Sequence, residues 1–412
     1  MPGLLTVSMI VKNEERFLGE CLSSIKDVAD EIIVVDTGST DRSIQIAQDF
    51  GAHIVQIEWP DDFSRARNVG LDLVKTPWVL IIDADEELIA DDVPTLEVAM
   101  TKPIADAYNV RIVSVMDKAE HISESYVLRL FRSHPAVRFE GRVHEQVFNA
   151  LGRLHMNVTP LNVRLLHKGY LNAVIDQRDK TQRNRVLLEK QVQEHPEDGY
   201  MLWQLAQTLI SAGDIPGALS VCKRSLKHLP VQSPIWVLAQ MTYAKALDLH
   251  GERKRAIKVL QEGQVAHPRY TDFYYLEGLM RIHLQQWTQA EQLFLQCLQI
   301  GEAKGFMMTD TGIGGFKSQW RLAQVLSQQG KTKEALAYLL IAIKTHPPFR
   351  DAWNAIFTLL QGSTFDAVLD TILLTMPLDN IINTMRMWQD LNIDETRLLE
   401  TAQSRAGSSQ QN

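Results

Sequence analysis

Two carboxylates lie one residue apart at the end of an apolar run in VLIIDADEEL, Asp83 and Asp85. If the extended backbone continues past the run, both side chains point to the same side. Two acids so placed can hold one divalent cation, because magnesium or manganese needs only one or two protein carboxylates when a ligand's phosphates and waters complete the shell. The D-x-D spacing alone is also met in solvated surface acids. Its place at a strand tip favours the metal reading.

That tip belongs to a series. Strands are predicted at Leu5–Val11, Glu31–Asp36, His53–Glu58 and Trp78–Asp83, with amphipathic helices around Arg16–Ser24, Asp41–Phe50 and Ser64–Val74 between them. Alternation of this kind predicts parallel strands joined by right-handed crossovers. IIVVD and WVLIID are apolar until a terminal Asp, as expected of central strands covered on both faces. Asp36 and Asp83 therefore fall at carboxyl strand ends, and open α/β sheets bind ligands in the crevice just outside those ends.

The chain has 412 residues, 45% of them hydrophobic and 22% charged, enough for two or more cores. A net charge of -8 offers no chain-wide attraction to nucleic acid or anionic lipid. The N-terminus has no basic segment before its apolar run and reads as a first strand, not a secretory signal. No apolar stretch approaches the roughly 20 residues needed to span a bilayer. Cys21, Cys222 and Cys297 lie far apart without metal-ligand spacing, which suits structural thiols in a reducing compartment. A cytoplasmic protein is expected, with peripheral membrane association left open.

Beyond residue 195 the period changes to helix pairs. Small residues recur 12 apart, as Ala206 and Ala218, Ala244 and Ala256, Gly278 and Ala290, and Ala323 and Ala335. Each pair would sit where the two helices of a hairpin touch. Pro230, Pro268 and Pro347 each follow the second member by a further 12 residues and end the helix. The steps between units are 38, 34 and 45 residues. This resembles the tetratricopeptide family, whose period is about 34, with an insertion at Gly305–Lys317. Trp203, Trp236, Tyr243, Tyr275 and Trp320 are expected to pack between helices, and such a solenoid presents a concave surface to a partner. The insertion, GFMMTDTGIGGFKS, is not a phosphate loop, because Phe316 precedes Lys317 where the pattern needs Gly and no apolar strand leads into it.

The predicted organisation is an α/β domain over 1–175, a linking helix over 176–194, repeats over 195–360, a helical cap over 361–403 and a disordered tail over 404–412, SRAGSSQQN.

The series SMIVKNEE, EIIVVDTGSTD, FSRARNVGL and WVLIIDADEEL, in this order, resembles the family 2 glycosyltransferases of GT-A fold. A second block, VLRLFRSHPAVRFEGRVHEQV followed by LLHKGY, is similar to the branch that includes lipopolysaccharide-core glucosyltransferases. Repeats behind such a domain also occur in relatives of the bacterial peptide S-glycosyltransferases. The fold class implied is an N-terminal GT-A nucleotide-diphospho-sugar transferase domain followed by an all-α tetratricopeptide-like solenoid.

The resemblance implies an inverting, metal-dependent transfer from a nucleoside-diphosphate sugar, UDP-linked, to a protein or peptide or a cell-envelope saccharide, with Mg2+ or Mn2+. It places Asn13, Glu14 and Asp36 at the nucleoside, Arg67 of the A-R-N motif at the diphosphate, Asp83 at metal or ribose, and Asp85 and His167 at the metal. Each has a plainer reading. Asp36 can begin the Thr-Gly-Ser-Thr turn, Glu14 can favour a helix start, Arg67 can be a solvated helix charge, as Arg65 is expected to be, and His167 can be structural. Inversion needs a base for the acceptor's proton. Glu145 is the choice, with His144 and Asp106 as alternatives, Phe131 and Arg132 positioning the segment and Arg142 a surface charge. Sugar nucleotidyltransferases share a related core but carry a glycine-rich basic loop after the first strand, where this chain has KNEERF. A third reading is a non-catalytic scaffold built on the repeats; retention of two mutually repelling acids, Asp83 and Asp85, speaks against it.

Overall fold

A computed structural model of the chain describes residues 3–115, 122–168, 173–302, 311–388 and 390–409. It divides into two compact units, Met1–Asp214 and Ile215–Asn412. Each is described by itself.

The first unit is built on an eight-stranded mixed sheet. Its parallel part comprises β1 (Leu5–Val11), β2 (Glu31–Asp36), β3 (His53–Gln56) and β4 (Trp78–Ile81). β1 lies between β2 and β4, and β3 flanks β2. The crossover helices are α1 (Leu18–Ile25), α2 (Ser43–Asp49) and α3 (Phe63–Leu71). These are the strands and helices the hydrophobic pattern predicts, with ends shifted by a few residues.

β4 then turns into a second, mainly antiparallel half: β5 (Glu86–Leu88), helix α4 (Val93–Thr101), β6 (Ala107–Val115), β7 (Ile122–Arg132), α5 (Phe148–Arg153) and β8 (Val158–His167). The strand order is β3-β2-β1-β4-β7-β6-β8-β5. One core packs Leu5, Met9, Leu22, Trp78 and Leu80 with α1 and α4, and another packs Val79, Ile81, Phe131, Val137 and Leu151. Both faces of β4 are therefore covered, which explains its unbroken apolar run.

Helices α6 (Ala173–Glu194) and α7 (Gly199–Ser211), expected as linker and first repeat helix, belong by compactness to this first unit. Gln191 Oε1 accepts the Arg142 main-chain N–H at 3.1 Å, Glu194 pairs with the Arg142 guanidinium, and Lys190 pairs with Asp61 at 2.7 Å. Arg142 is thus a clamp between a loop and α6.

The second unit is all helical and begins with α8 (Ile215–His228). Antiparallel hairpins follow as α9 (Pro234–Leu249) with α10 (Arg253–Ala266), α11 (Thr271–His283) with α12 (Trp287–Ile300), and α13 (Phe316–Gln328) with α14 (Thr332–Thr345). Ala244, Ala256, Ala290 and Ala335 are wholly buried, as expected of helix crossings. At Gly278 an added Cβ would lie 2.8 Å from the Phe294 ring, so only glycine lets α11 approach α12 this closely. Trp236, Tyr243 and Tyr275 are buried in the packing, and Trp320 is partly so. Of the predicted insertion, residues 305–310 lie outside the described residues.

Helices α15 (Arg350–Leu359), α16 (Phe365–Leu373), α17 (Leu378–Met387) and α18 (Ile393–Ser409) complete the unit. The tail expected from residue 404 is helical as far as Ser409. Buried Leu398 and Ala402 seat α18, and Arg405 pairs with Asp366 and Asp370 of α16, contacts that local polarity does not announce. Among the described residues no helix is long and apolar enough to cross a membrane.

Candidate active site

The loops after β1, β2 and β4 meet at the carboxyl end of the parallel strands. Asn13 takes φ 57°, the left-handed region, and its Oδ1 accepts the Thr40 main-chain N–H at 2.8 Å while its own N–H donates to Ser39 Oγ at 2.9 Å. The Glu14 N–H donates to Ser43 Oγ at 2.8 Å. Asp36 is buried and accepts the N–H groups of Gly38 and Ser39, each at 3.1 Å. These side chains thus brace the two loops. In Asp36 and Asn13 the plainer turn-building role is present in the geometry, and a nucleoside contact would have to be made in addition to it.

At the end of β4 the charges converge. Asp83 Oδ1 accepts from Arg67 Nη2 at 2.8 Å, and its Oδ2 accepts from Arg129 Nη2 at 2.6 Å. Arg67 comes from the middle of α3, and its Nε donates to Glu145 Oε1 at 2.5 Å. Arg129 comes from β7 and also donates to Glu86 Oε1 at 2.9 Å. Glu86 in turn accepts the main-chain N–H of Asp83 at 2.9 Å through Oε2. Five charged groups therefore form one chain: Glu145, Arg67, Asp83, Arg129, Glu86.

The electrostatics follow from burial and pairing. Burial opposes ionisation of Asp83, but Arg129 and then Arg67 overcome it and hold the carboxyl well below the usual range. Glu86, only 2% exposed, is pushed up by burial to about 7 even against the pull of Arg129. Burial alone would disfavour both guanidinium charges, yet Asp83 and its neighbouring carboxylates raise them. Two donors nonetheless lack partners: Arg67 Nη1 and Arg129 Nε are buried with no hydrogen bond. A buried unpaired donor is costly unless a ligand takes it.

Asp85 stands apart from this chain. Its Oδ2 lies 3.1 Å from His167 Nε2, and both side chains are about one-fifth exposed, at 22% and 23%. Antiparallel pairing of β5 with β8 puts Glu86 opposite His167, and the Lys168 N–H donates to the Asp85 carbonyl at 3.0 Å, which sets the contact. The hydrogen bond with Asp85 raises the His167 pKa, outweighing burial. Among the described residues no three His, Cys, Asp or Glu side chains converge as a metal-ligand group. Asp83 is neutralised by two guanidinium groups, whereas Asp85 and His167 are partly exposed, a carboxylate and an imidazole whose chemistry fits a divalent cation completed by phosphate oxygens.

Other expected residues resolve differently. Asn68, next to Arg67, makes two bonds to the main chain of one residue: its Nδ2 donates to the Phe139 carbonyl at 3.0 Å and its Oδ1 accepts the Phe139 N–H at 2.9 Å. The Asn of A-R-N thus pins the segment carrying Glu145 onto α3. Arg65 is an exposed charge beside Asp62. Asp106 pairs with Arg132 at 3.5 Å and accepts the Asn157 N–H, while Phe131 is core. His144 takes φ 54°, and burial lowers its pKa. Sequence reasoning missed Arg129 and Glu86. The signal available was a basic residue set inside the apolar strand VLRLF and an acid directly after D-A-D.

Residues 6–156 match the family described as Glycosyl transferase family 2. A TPR repeat-containing protein of Synechococcus elongatus is 36% identical over 230 residues, 54% of this chain and 57% of that protein. The SPbeta prophage-derived glycosyltransferase SunS of Bacillus subtilis is 29% identical over 228 residues, 54% of this chain and 53% of that protein. The chain thus spans just over half the length of these curated relatives. Among solved structures, S. aureus TarS 1-349 in complex with UDP-GlcNAc is similar at 15% identity and TM-score 0.41, covering 63% of this chain and 92% of that one.

Proposed function

We propose that this chain, which carries a family 2 glycosyl transferase domain followed by tetratricopeptide-like repeats, transfers a sugar with inversion from a nucleoside-diphosphate sugar, UDP-linked, to a protein or peptide or a cell-envelope saccharide. The observation that carries the proposal is the linked series Glu145–Arg67–Asp83–Arg129–Glu86 beside the Asp85–His167 pair, at the carboxyl end of the parallel strands.

On this reading the nucleoside lies over the loops of Asn13, Glu14 and Asp36. The unpaired Arg67 Nη1 points to use on the anionic donor, since a guanidinium recognises phosphate oxygens through charge-assisted bonds. Asp83, fixed between two arginines, keeps lone pairs that accept a ribose hydroxyl. A magnesium or manganese ion would be held by Asp85 and His167 with diphosphate oxygens, where it would offset the charge that develops on the leaving group. His167 must shed its proton to serve there, so loading of the site weakens as pH falls. Glu145 takes the acceptor's proton as the nucleophile bonds to the anomeric carbon and the bond to the diphosphate breaks. Arg67 holds the Glu145 carboxylate in place for that transfer.

The test is release of the nucleoside diphosphate (hereafter diphosphate release) from a panel of nucleotide sugars, with and without manganese, in wild type, Asp85→Ala and Glu145→Gln. Release that needs the ion, is abolished in Asp85→Ala and falls by about 10²–10⁴-fold in Glu145→Gln is expected. Turnover indifferent to the ion, or equal rates in all three proteins, would overturn the assignment.

A further inference from the structure

Next to Glu145, and outside the charged series, the first unit contains a pocket of about 290 Å³ lined by His144, Thr181, Asn184, Gln204, Gln207, Thr208 and Ser211. The lining comes from three places: the loop that carries Glu145, the middle of α6 and the second half of α7. Its chemistry is uniform. Every side chain ends in a hydroxyl, a carboxamide or an imidazole, and none carries a formal charge. Burial keeps the imidazole of His144 towards its neutral form.

A chain of hydrogen bonds runs from the pocket to the residue that follows the proposed base. Gln207 Nε2 donates to Gln204 Oε1 at 3.3 Å, and Gln204 Nε2 donates to the Tyr200 hydroxyl at 2.9 Å. The same hydroxyl shares a hydrogen bond with Gln146, which follows Glu145. Within this ordered wall, Asn184 Oδ1 is buried and accepts nothing. A buried carbonyl without a donor marks where a ligand hydroxyl would be welcome.

What such a pocket can take is limited by what it lacks. A phosphate, a carboxylate or a basic side chain would be desolvated here without an opposite charge. An extended peptide needs main-chain groups in register, whereas α6 and α7 offer only side chains because their backbone groups pair within the helices. A polyol suits it, because each sugar hydroxyl both donates and accepts, as hydroxyls and carboxamides do in return.

We propose that this pocket is the acceptor subsite and that it receives an uncharged sugar ring, whose hydroxyls pair with Asn184, Gln204, Gln207 and Thr208 while the ring's reacting hydroxyl faces Glu145. This rests on the transferase reading above and narrows its acceptor to a saccharide.

Saturation-transfer NMR of the donor-free full chain with methyl glycosides of neutral hexoses and N-acetylhexosamines tests it directly. Binding is expected in wild type, weakened about tenfold in Asn184→Ala and about tenfold in Gln207→Ala, the loss of one hydrogen bond each. Gln207 is exposed, so its truncation leaves folding intact. A methyl glucuronide should bind more weakly than the matching glucoside. In parallel, the donor KM for diphosphate release should stay unchanged in both variants, and added glycoside should stimulate release. Silence from every glycoside, glycoside affinity unchanged in both variants, or stimulation of release by a hydroxyl- or thiol-bearing peptide alone would overturn the assignment. If no nucleotide sugar is turned over by wild type while glycoside binding still depends on Asn184, the transferase reading fails and the sugar pocket stands.

Discussion

At the carboxyl end of the sheet the first unit buries Arg67, Glu86 and Asp36 and links them into chains of ion pairs and main-chain bonds. The repeats of the second unit bring Ala244, Ala256, Gly278 and Ala290 together where helices cross, and fill the space between with Phe294, Leu326 and Trp353. The contrast separates two uses of a protein interior. Buried ion pairs are poor stabilisers, since desolvation cancels most of their attraction, yet breaking one is costly. Their accumulation at one end of one sheet therefore reflects a requirement on charge and geometry at that place. Among the described residues the repeats bury a smaller one, Glu277 of α11, which pairs with Arg281 at 2.7 Å and accepts from Gln261 and Gln264 of α10; close approach of backbones is what their small residues secure.

The largest effect should come from Arg129→Ala. It strands Glu86, 2% exposed, and frees one oxygen of Asp83, a loss of about 3–5 kcal/mol by urea denaturation. Hydrogen exchange should rise in β4 and β7 while α11 and α12 keep their protection. The double substitution Arg129→Met with Glu86→Leu should regain most of that stability without regaining diphosphate release. A cost under about 1 kcal/mol for the single change, or an active double variant, would erase the distinction between a site built on charge and a core built on packing.

Gly278→Ala probes the other side. The new methyl would meet the Phe294 ring at 2.8 Å, so strain of about 1–3 kcal/mol is expected. Because the repeats take no part in donor chemistry on the proposed mechanism, the rate of diphosphate release in the folded protein should not change. A Gly278→Ala protein that is fully stable, or one that folds but has lost donor turnover, contradicts the comparison.

The limits of what sequence discloses follow the same division. β1 and β2 match their predicted bounds because a central strand's apolar run is a property of consecutive residues. The buried pairs Ala244–Ala256 and Ala323–Ala335 were readable because their spacing recurs. Arg129 was hidden, since nothing in VLRLF says that β7 lies beside β4 and delivers its guanidinium to Asp83. Glu86 passed for one more acid in DADEEL, although its environment comes from Arg129, 43 residues away. Asn68 shows the converse: the motif was recognised, but its bonds to Phe139 required the fold.

The finest comparison is between two acids three residues apart, Asp83 and Glu86, whose pKa values move in opposite directions. Asp83 is lowered, so the stability it confers is lost only as pH falls through the acid range, and it is silent near neutrality. Glu86 is raised to about 7, so between its ordinary value of 4.5 and 7 the folded protein binds a proton that the unfolded chain has released. Stability must then fall as pH rises through that window. His167, also raised, adds a loss of the same sign above its ordinary value of 6.5, so a single pH profile does not separate the two. The difference between wild type and Glu86→Gln does. Gln cannot ionise, so the gap between urea midpoints of the metal-free protein at pH 5 and pH 7.5 should narrow in the variant by on the order of 1 kcal/mol, leaving the part that His167 contributes. Equal slopes in the two proteins would mean that Glu86 stays ionised throughout, held by Arg129, and that burial is not the larger force on it.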